Sequence, residues 1–108
     1  MSFRYMRILV FFDLPTETAK DRKIYSKFRK FLINEGFIML QESVYAKLTL
    51  NNSITNSVKD KIYKNKPPHG IVQMLVITEK QVSTIEYVVG NKNNDTLDST
   101  ERLIILWS

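Results

Sequence analysis

The sequence predicts an α+β domain, because short apolar runs alternate with longer amphipathic stretches. Residues 5–12 are almost continuously hydrophobic, which is typical of a strand covered on both faces. Residues 37–48 contain two further candidate strands, and residues 70–78 contain a fourth. Helical spacing of apolar side chains over residues 17–35, and again after residue 51, predicts two helices. The order β-α-β-β-α-β is the split βαβ, or ferredoxin-like, arrangement, in which two helices cover one face of a four-stranded antiparallel sheet.

The first predicted helix has recognisable start and stop signals. Either Thr16 or Thr18 is suited to cap its N-terminus, and Asp21 stands three residues after Thr18, as in a capping box. Gly36 is a favoured residue for a left-handed cap at the C-terminus. The apolar positions that should face the core are Ile24, Phe28, Phe31 and Leu32.

The middle of the chain predicts a strand pair followed by the second helix. Residues 44, 46 and 48 are Val, Ala and Leu, and they alternate with Ser43, Tyr45 and Lys47, so one face of this strand should be more buried than the other. The helix should start around Asn51, with Ile54, Val58 and Ile62 on one face, and should end at the Pro-Pro-His-Gly sequence of residues 67–70. The sequence Thr78 to Gln81 is suited to cap one short further turn.

The last thirty residues exceed this minimal fold, so we divide the chain into a domain of residues 1–82 and a C-terminal extension of residues 83–108. Residues 85–90 are a candidate short strand, and residues 91–100 form a polar loop. Residues 102–107 (RLIILW) form a compact, largely apolar run that should add a strand to a sheet edge. We favour the edge of a partner in a two-fold homodimer over an intramolecular fifth strand.

Charge and composition narrow the class of protein. The net charge of +5 is concentrated in residues 1–34, which hold eight Lys or Arg against three acidic residues, whereas residues 79–108 have a net charge of −2. A basic front half favours a polyanionic partner. There is no cysteine, no signal-peptide pattern and no apolar run of the roughly 20 residues that span a bilayer, so we expect a cytoplasmic protein with no membrane association.

Asp13 is the most informative single residue. It closes the first strand and is followed at once by a turn, a place where a rigid scaffold can direct a carboxylate at a ligand or a metal. Capping of the following turn or helix is the alternative, and position alone does not separate the two.

The first helix carries a concentration of basic side chains. Lys23, Lys27 and Lys30 lie along one flank of its apolar face, and Arg22 and Arg29 lie on the opposite side. Such charges are usually only a solvated surface, but six basic residues interrupted only by Asp21 favour contact with phosphates.

Most catalytic chemistries are excluded by the inventory of residues. His69 is the only histidine, so a two-histidine metal site within one chain is impossible, and a lone loop histidine is more often a surface group. One carboxylate holds Mg²⁺ poorly. Two copies of Asp13 across a dimer axis would make a shared site for Mg²⁺ or Mn²⁺, and the cation would offset the repulsion between them. Such an ion would support metal-assisted hydrolysis of a phosphodiester.

Several segments, in this order, resemble one family. Residues 7–16 (RILVFFDLPT) are similar to the first strand and acidic turn of the small CRISPR-associated adaptation proteins, the non-integrase subunits of the spacer-integration complex. The resemblance continues through Tyr25–Leu32, Gly36–Tyr45 and residues 67–81, and it covers roughly residues 5–82. The sequences Phe-Asp-Leu-Pro-Thr and Thr-Glu-Lys-Gln resemble the variant from type II systems.

The resemblance implies a ferredoxin-like homodimer whose C-terminal strand crosses to the partner, with Asp13 as the metal-binding and catalytic acid. It implies a metal-dependent endonuclease, acting on RNA or DNA, that also bridges integrase dimers and holds spacer-precursor duplex DNA. The expected partners are therefore a second copy, the CRISPR integrase subunit, double-stranded DNA and, as a further candidate, single-stranded RNA. Arg22, Lys23, Lys27, Arg29 and Lys30 are our own assignment of the nucleic-acid contacts. A purely structural DNA-binding scaffold and a small-ligand regulatory domain are the alternatives.

Overall fold

The computed structural model describes residues 5–90, and it confirms the predicted order of elements. In chain order the elements are β1 (Met6–Asp13), α1 (Ala19–Asn34), β2 (Ile38–Gln41), β3 (Val44–Thr49), α2 (Asn52–Lys64), β4 (Ile71–Thr78) and α3 (Glu79–Val82). The strands form one antiparallel sheet in the order β2-β3-β1-β4, so β1 is central. This is a ferredoxin-like α+β fold. The predicted edge strand of residues 102–107 and the polar loop of residues 91–100 lie outside the described residues.

The ends of α1 follow the predicted capping chemistry. Thr18 is the N-cap, and its hydroxyl accepts a hydrogen bond from the Asp21 amide while the Asp21 carboxylate accepts one from the Thr18 amide. Gly36 ends the helix with a φ of 95°, a conformation that glycine adopts without strain. The Lys47 ammonium donates to the Glu35 carbonyl at 2.7 Å, which places a positive charge at the negative end of the helix dipole.

One hydrophobic core lies between the sheet and the two long helices. Strand β1 supplies Ile8, Val10 and Phe12 to it, at alternate positions, as a strand must when only one of its faces meets the helices. The helices supply Phe28, Leu32, Val58 and Ile62. Both helices therefore pack on the same face of the sheet.

Strand β3 contributes its aromatic residue to this core, which the sequence pattern did not indicate. Tyr45 belongs to the more polar of the two alternating sets, yet it is 0% exposed. Its hydroxyl accepts a hydrogen bond from Arg29 Nε at 2.9 Å, and its register partner is the core residue Val10. Burial of a tyrosine costs little when its hydroxyl has such a partner.

Two further expectations were wrong in detail. On α2, Ile54 is largely exposed and Thr55 is buried instead, because the Thr55 hydroxyl pairs with the buried Thr49 hydroxyl at 2.6 Å. Residues 85–90 do not form a strand. Instead, α3 follows β4 directly with Thr78 as its N-cap, as the sequence predicted. Within residues 5–90, none of the helices has the length and apolarity needed to cross a bilayer.

Apart from α3, which reaches it at the start of β1, no described element covers the second face of the sheet. By strand alternation, Leu9 and Phe11 of β1 lie on it beside Ile71 and Leu75 of β4. Ile71 is 57% exposed and Leu75 is 49% exposed. We call this surface the open face. An apolar sheet surface of this kind is typical of an interaction site.

A partly buried ion pair closes the open face at the start of β1. The Arg7 side chain is only 8% exposed, and its Nε lies 2.6 Å from Glu79 Oε2 while Nη2 donates to Oε1 at 3.3 Å. The Glu79 amide also donates to the Tyr5 carbonyl. Helix α3 is thereby fixed against the first residues of β1.

Candidate metal and nucleic-acid site

Asp13 is the last residue of β1, and the structure presents its side chain to solvent between two buried neighbours. Phe12 is 4% exposed and Leu14 is 6% exposed, so the backbone is anchored immediately before and after the acid. By alternation, Asp13 lies on the same face of the strand as Phe11 and Leu9, which is the open face. Within residues 5–90 its carboxylate has neither an ion pair nor a hydrogen bond. Asp13 is therefore a positioned, available anion rather than a helix cap, since Thr18 has that role.

The anchor that precedes Asp13 is an aromatic cluster. The Phe12 ring packs edge-on against Tyr25 and Phe28, with ring centroids 5.7 and 5.4 Å away, and lies 5.5 Å from the Tyr45 ring. Such pairs fix ring orientation as well as burying apolar area. The end of β1 is therefore held by α1 and β3 together.

Gly70, in the loop before β4, packs against the same part of the backbone. Its φ is +94°, and a Cβ there would lie 2.6 Å from Leu14 Cδ2 and 2.9 Å from the Asp13 carbonyl oxygen. Real Cβ atoms do not approach that closely, so only glycine fits. The loop before β4 thus packs directly on the backbone of the acid.

A shallow groove of about 410 Å³ opens beside the acid. Several of its lining residues carry side-chain oxygen atoms that can bind a metal. The lining comprises Asp13, Leu14, Thr16, Arg22, Tyr25, Ser26, Glu42 and Ser43. Carboxylate, hydroxyl and carbonyl oxygens are the ligands that Mg²⁺ and Mn²⁺ prefer, so the residue types fit such an ion. Among residues 5–90, however, no three His, Asp or Glu side chains come together as a metal-binding group. One protomer therefore offers a suitable but incomplete set of ligands.

Three of the five predicted nucleic-acid contacts share one surface. Lys23, Lys27 and Lys30 line an open groove of about 600 Å³ beside α1. Its other lining residues are Ser26, Phe31, Asn34 and the acid Glu35. All three lysines are exposed, and no ion pair ties them to another described residue. We call this surface the α1 lysine face. Its side chains can reach phosphates without first breaking an internal contact.

The two arginines on the opposite side differ from these lysines. Arg22 Nη1 donates to the carbonyls of Thr16 and Glu17 at 3.2 and 3.0 Å, which ties the loop after Asp13 to α1. Arg29 Nε donates to the buried Tyr45 hydroxyl. Both guanidinium groups keep further donors for a ligand, but each also has a structural role. The sequence could not distinguish the two arginines from the lysines. The partners of Arg22 are backbone carbonyls, and the partner of Arg29 is distant in the sequence.

His69 is a surface residue at the edge of this region. Its Nε2 lies 3.7 Å from Asp21 Oδ1, and its side chain is 53% exposed. It does not line the groove beside Asp13. Sequence reasoning missed the role of Gly70 and the position of Glu42 on the groove, although both belong to segments that carried the resemblance.

The fold and the strand-terminal acid define a class: a small ferredoxin-like protein with an available carboxylate and a basic helix. The family model described as CRISPR associated protein Cas2 matches residues 6–85. The chain belongs to this family. It is 50% identical to a CRISPR-associated endoribonuclease Cas2 of Treponema denticola over 94% of this chain and 100% of that relative. It is 46% identical to proteins of the same name from Streptococcus mutans and Ligilactobacillus salivarius, again over 94% of this chain and over 93% and 100% of theirs.

Proposed function

We propose that this chain is a nucleic-acid-binding endonuclease of CRISPR adaptation, with Asp13 as the acid that holds a divalent cation. The observation that carries the proposal is the exposed Asp13 carboxylate, which the buried Phe12 and Leu14 hold in place on either side. The names of the relatives support a nuclease, since each is called an endoribonuclease. Mg²⁺ or Mn²⁺ would supply an activated water and would neutralise phosphate charge.

A homodimer would complete the set of metal ligands. The open face is apolar and includes the strongly exposed side chains of Ile71 and Leu75, and burial of such a surface is the usual driving force for association. Asp13 lies at one end of that face and pairs in register with Ile71. A two-fold axis across the face would bring the Asp13 of a partner towards the first, so that one cation is shared between them.

The α1 lysine face is the proposed contact for the sugar-phosphate backbone. Lys23, Lys27 and Lys30 would neutralise phosphates without reading bases, and Arg22 and Arg29 would extend the contact with their remaining donors. In adaptation the dimer would hold spacer-precursor duplex DNA between integrase dimers. Single-stranded RNA is the second candidate substrate, because the relatives are named for RNA cleavage.

The alternative is a scaffold that binds DNA but does not cleave it. It is favoured by the absence, within residues 5–90, of a third metal-binding side chain close to Asp13. Binding on α1 and hydrolysis at Asp13 involve different residues, so one experiment separates the two functions.

The test is a cleavage assay on labelled single-stranded RNA and duplex DNA, with and without Mg²⁺, run beside size-exclusion chromatography. We expect Asp13→Asn to reduce metal-dependent cleavage about 100-fold or more, because it removes a charged ligand of the cation, and the loss even of a residue that only supports a metal ligand costs about 10- to 100-fold. The dimer and duplex affinity should be retained. The matched control is Lys23→Ala with Lys27→Ala and Lys30→Ala, which should weaken duplex binding and make its loss with increasing salt less steep.

Three results would contradict or replace the proposal. Cleavage that persists in Asp13→Asn contradicts the assignment of the acid. No cleavage by the wild type, with intact salt-dependent DNA binding, supports the scaffold. A monomeric wild type contradicts the shared cation.

A further inference from the structure

A second groove, lined by α2 and β4 rather than by α1, has the composition of a nucleotide site. It lies between α2 and β4 and has a volume of about 380 Å³, towards the lower end of the range for small-molecule sites. Its apolar lining consists of Ile62, Val72 and Met74. Its remaining side chains include Tyr63, Lys59 and Lys66. We call it the α2 groove.

The aromatic residue of this groove has no evident role in folding. Tyr63 is 62% exposed, although the neighbouring Ile62 is buried at 2%. Within residues 5–90 its hydroxyl makes no hydrogen bond. A large, exposed aromatic side chain of this kind is typical of a binding surface rather than of a core.

The two lysines are spaced to flank this ring. Lys59 precedes Tyr63 by four residues on α2, so the two side chains lie on the same side of the helix, and Lys66 follows just beyond the helix end. In the described part of the chain neither lysine forms an ion pair, in contrast to Lys61, whose ammonium lies 3.4 Å from Glu35 Oε1. Tyr63 therefore shares the groove with two lysines that have no described ion pair, of which Lys59 is half-buried and Lys66 is exposed.

We infer that the α2 groove binds the base of an unpaired nucleotide, with the base stacked on Tyr63 and the adjoining phosphates on Lys59 and Lys66. An aromatic face beside an apolar surface and two ammonium groups is the combination that binds single strands, because every base has a π-face and every linkage a negative charge. A base in a duplex is already stacked and paired, so it cannot enter such a groove. The ligand is therefore single-stranded RNA or DNA, or the unpaired end of a duplex.

The position of the groove connects it to both proposed sites. Gly70 lines the groove, and it is the residue that packs on the Asp13 carbonyl. Lys66 also lines a neighbouring groove between the helices, which Lys27 and Lys64 share. A strand held by Tyr63 would therefore pass beside Gly70, which contacts the backbone of Asp13. It could continue past Lys66 and Lys64 to Lys27 on α1.

This inference rests on the proposed function only for the nature of the ligand as a nucleic acid. It does not require cleavage, a metal or a dimer. A protein segment seated on the apolar lining is the competing occupant, and the experiment below distinguishes it.

The test is fluorescence anisotropy with a labelled oligothymidylate, an oligouridylate of the same length and a blunt duplex of the same length. Tyr63→Ala should weaken binding of the single strands by about 5-fold to 100-fold, which corresponds to the loss of one stacked base. It should leave binding of the blunt duplex unchanged. Tyr63→Phe should retain the affinity, because the ring is preserved. Tyr87→Ala is the matched control, since Tyr87 is also exposed but does not line the groove.

A second measurement tests the phosphate contacts and the position of the base. Lys59→Ala and Lys66→Ala should each reduce the slope of log affinity against log salt by about 0.7 for the single strand. Photocrosslinking of a bromouridine-substituted strand should label Tyr63. Equal losses for strand and duplex, an unchanged affinity in Tyr63→Ala, or weaker self-association with unchanged strand binding would each overturn the inference. If Asp13→Asn still cleaves while Tyr63→Ala loses the strand, the proposed catalytic role fails and the α2 groove stands.

Discussion

The two ends of β1 carry charged side chains in opposite environments, one buried and paired and the other exposed. Arg7 and Asp13 stand six residues apart on the same face of one strand. The Arg7 guanidinium is buried and bound through two atoms to Glu79, whereas the Asp13 carboxylate is exposed and has no partner within residues 5–90. A buried charge must be paired to be tolerated, and an exposed one need not be. One end of the strand is therefore closed by its own fold, and the other is left open to a ligand.

The charge at one end of β1 stabilises the fold, and the charge at the other end remains available to a ligand. A charge that stabilises the fold is paired with another group of the protein, whereas a charge that binds a ligand must remain unpaired until the ligand binds. The α1 lysine face and the two arginines repeat this division at the scale of a helix, since among these five residues only Arg22 and Arg29 donate side-chain hydrogen bonds to other residues of the range 5–90. Substitutions of the lysines should therefore affect ligand binding alone, whereas substitutions of the two arginines should affect both unfolding and binding.

The largest stability effect should come from Glu79. Glu79→Ala leaves the buried Arg7 guanidinium without its partner, and we expect the free energy of unfolding to fall by about 2–3 kcal/mol. Asp13→Ala should change it by no more than about 0.5 kcal/mol, because an exposed carboxylate with no described partner leaves nothing unpaired. Urea denaturation at one fixed protein concentration measures both, and a fixed concentration is needed if the protein associates.

Glu79→Gln is the control for this comparison, because it keeps a hydrogen-bond acceptor for Arg7 and should lose less than Glu79→Ala. If Asp13→Ala destabilised the protein as much as Glu79→Ala does, the strand-terminal acid would have a structural role and the contrast between the two ends would be wrong.

The next effect should come from the support beneath the acid. Gly70→Ala places a Cβ against the Asp13 carbonyl and Leu14, at a positive φ, so we expect about 2 kcal/mol of destabilisation together with weaker cleavage. Gly90→Ala is the matched control, since Gly90 has a φ of +103° but no atom within 4 Å of the added Cβ. The difference between the two variants measures the steric contact alone. Equal losses would show that the backbone conformation, and not the packing on Asp13, requires glycine at residue 70.

Sequence reasoning could predict what depends on local pattern. The order of strands and helices follows from periodicity, and the Thr18–Asp21 capping box and Gly36 follow from capping chemistry. Asp13 was recognisable because it ends an apolar run. Each of these signals is contained within a few consecutive residues.

Contacts between distant segments were beyond that reasoning. Arg7 and Glu79 are 72 residues apart, and the pair exists only because the chain returns to the start of β1 after β4. The packing of Gly70 on Asp13 likewise depends on the register between β1 and β4. Tyr45 alternated with apolar residues in the same way as a solvent-facing residue would, and its burial depends on contacts with the distant residues Phe12 and Arg29. The α2 groove lies between a helix and a strand. Periodicity predicts each of these elements but not how they pack against each other.

The smallest effect tests whether the division between arginines and lysines holds on α1. Arg22→Ala removes two hydrogen bonds to the loop after Asp13, so the free energy of unfolding should fall by about 1 kcal/mol. Lys23→Ala removes the same charge from the next residue but no described contact, and it should leave stability within about 0.5 kcal/mol. Both should reduce the slope of log duplex affinity against log salt by about 0.9, because each removes one phosphate contact. Thermal or urea denaturation combined with salt titration of duplex binding separates the two properties. An unchanged salt slope in Arg22→Ala would confine Arg22 to holding the loop, and the phosphate contact on this helix would then belong to its lysines.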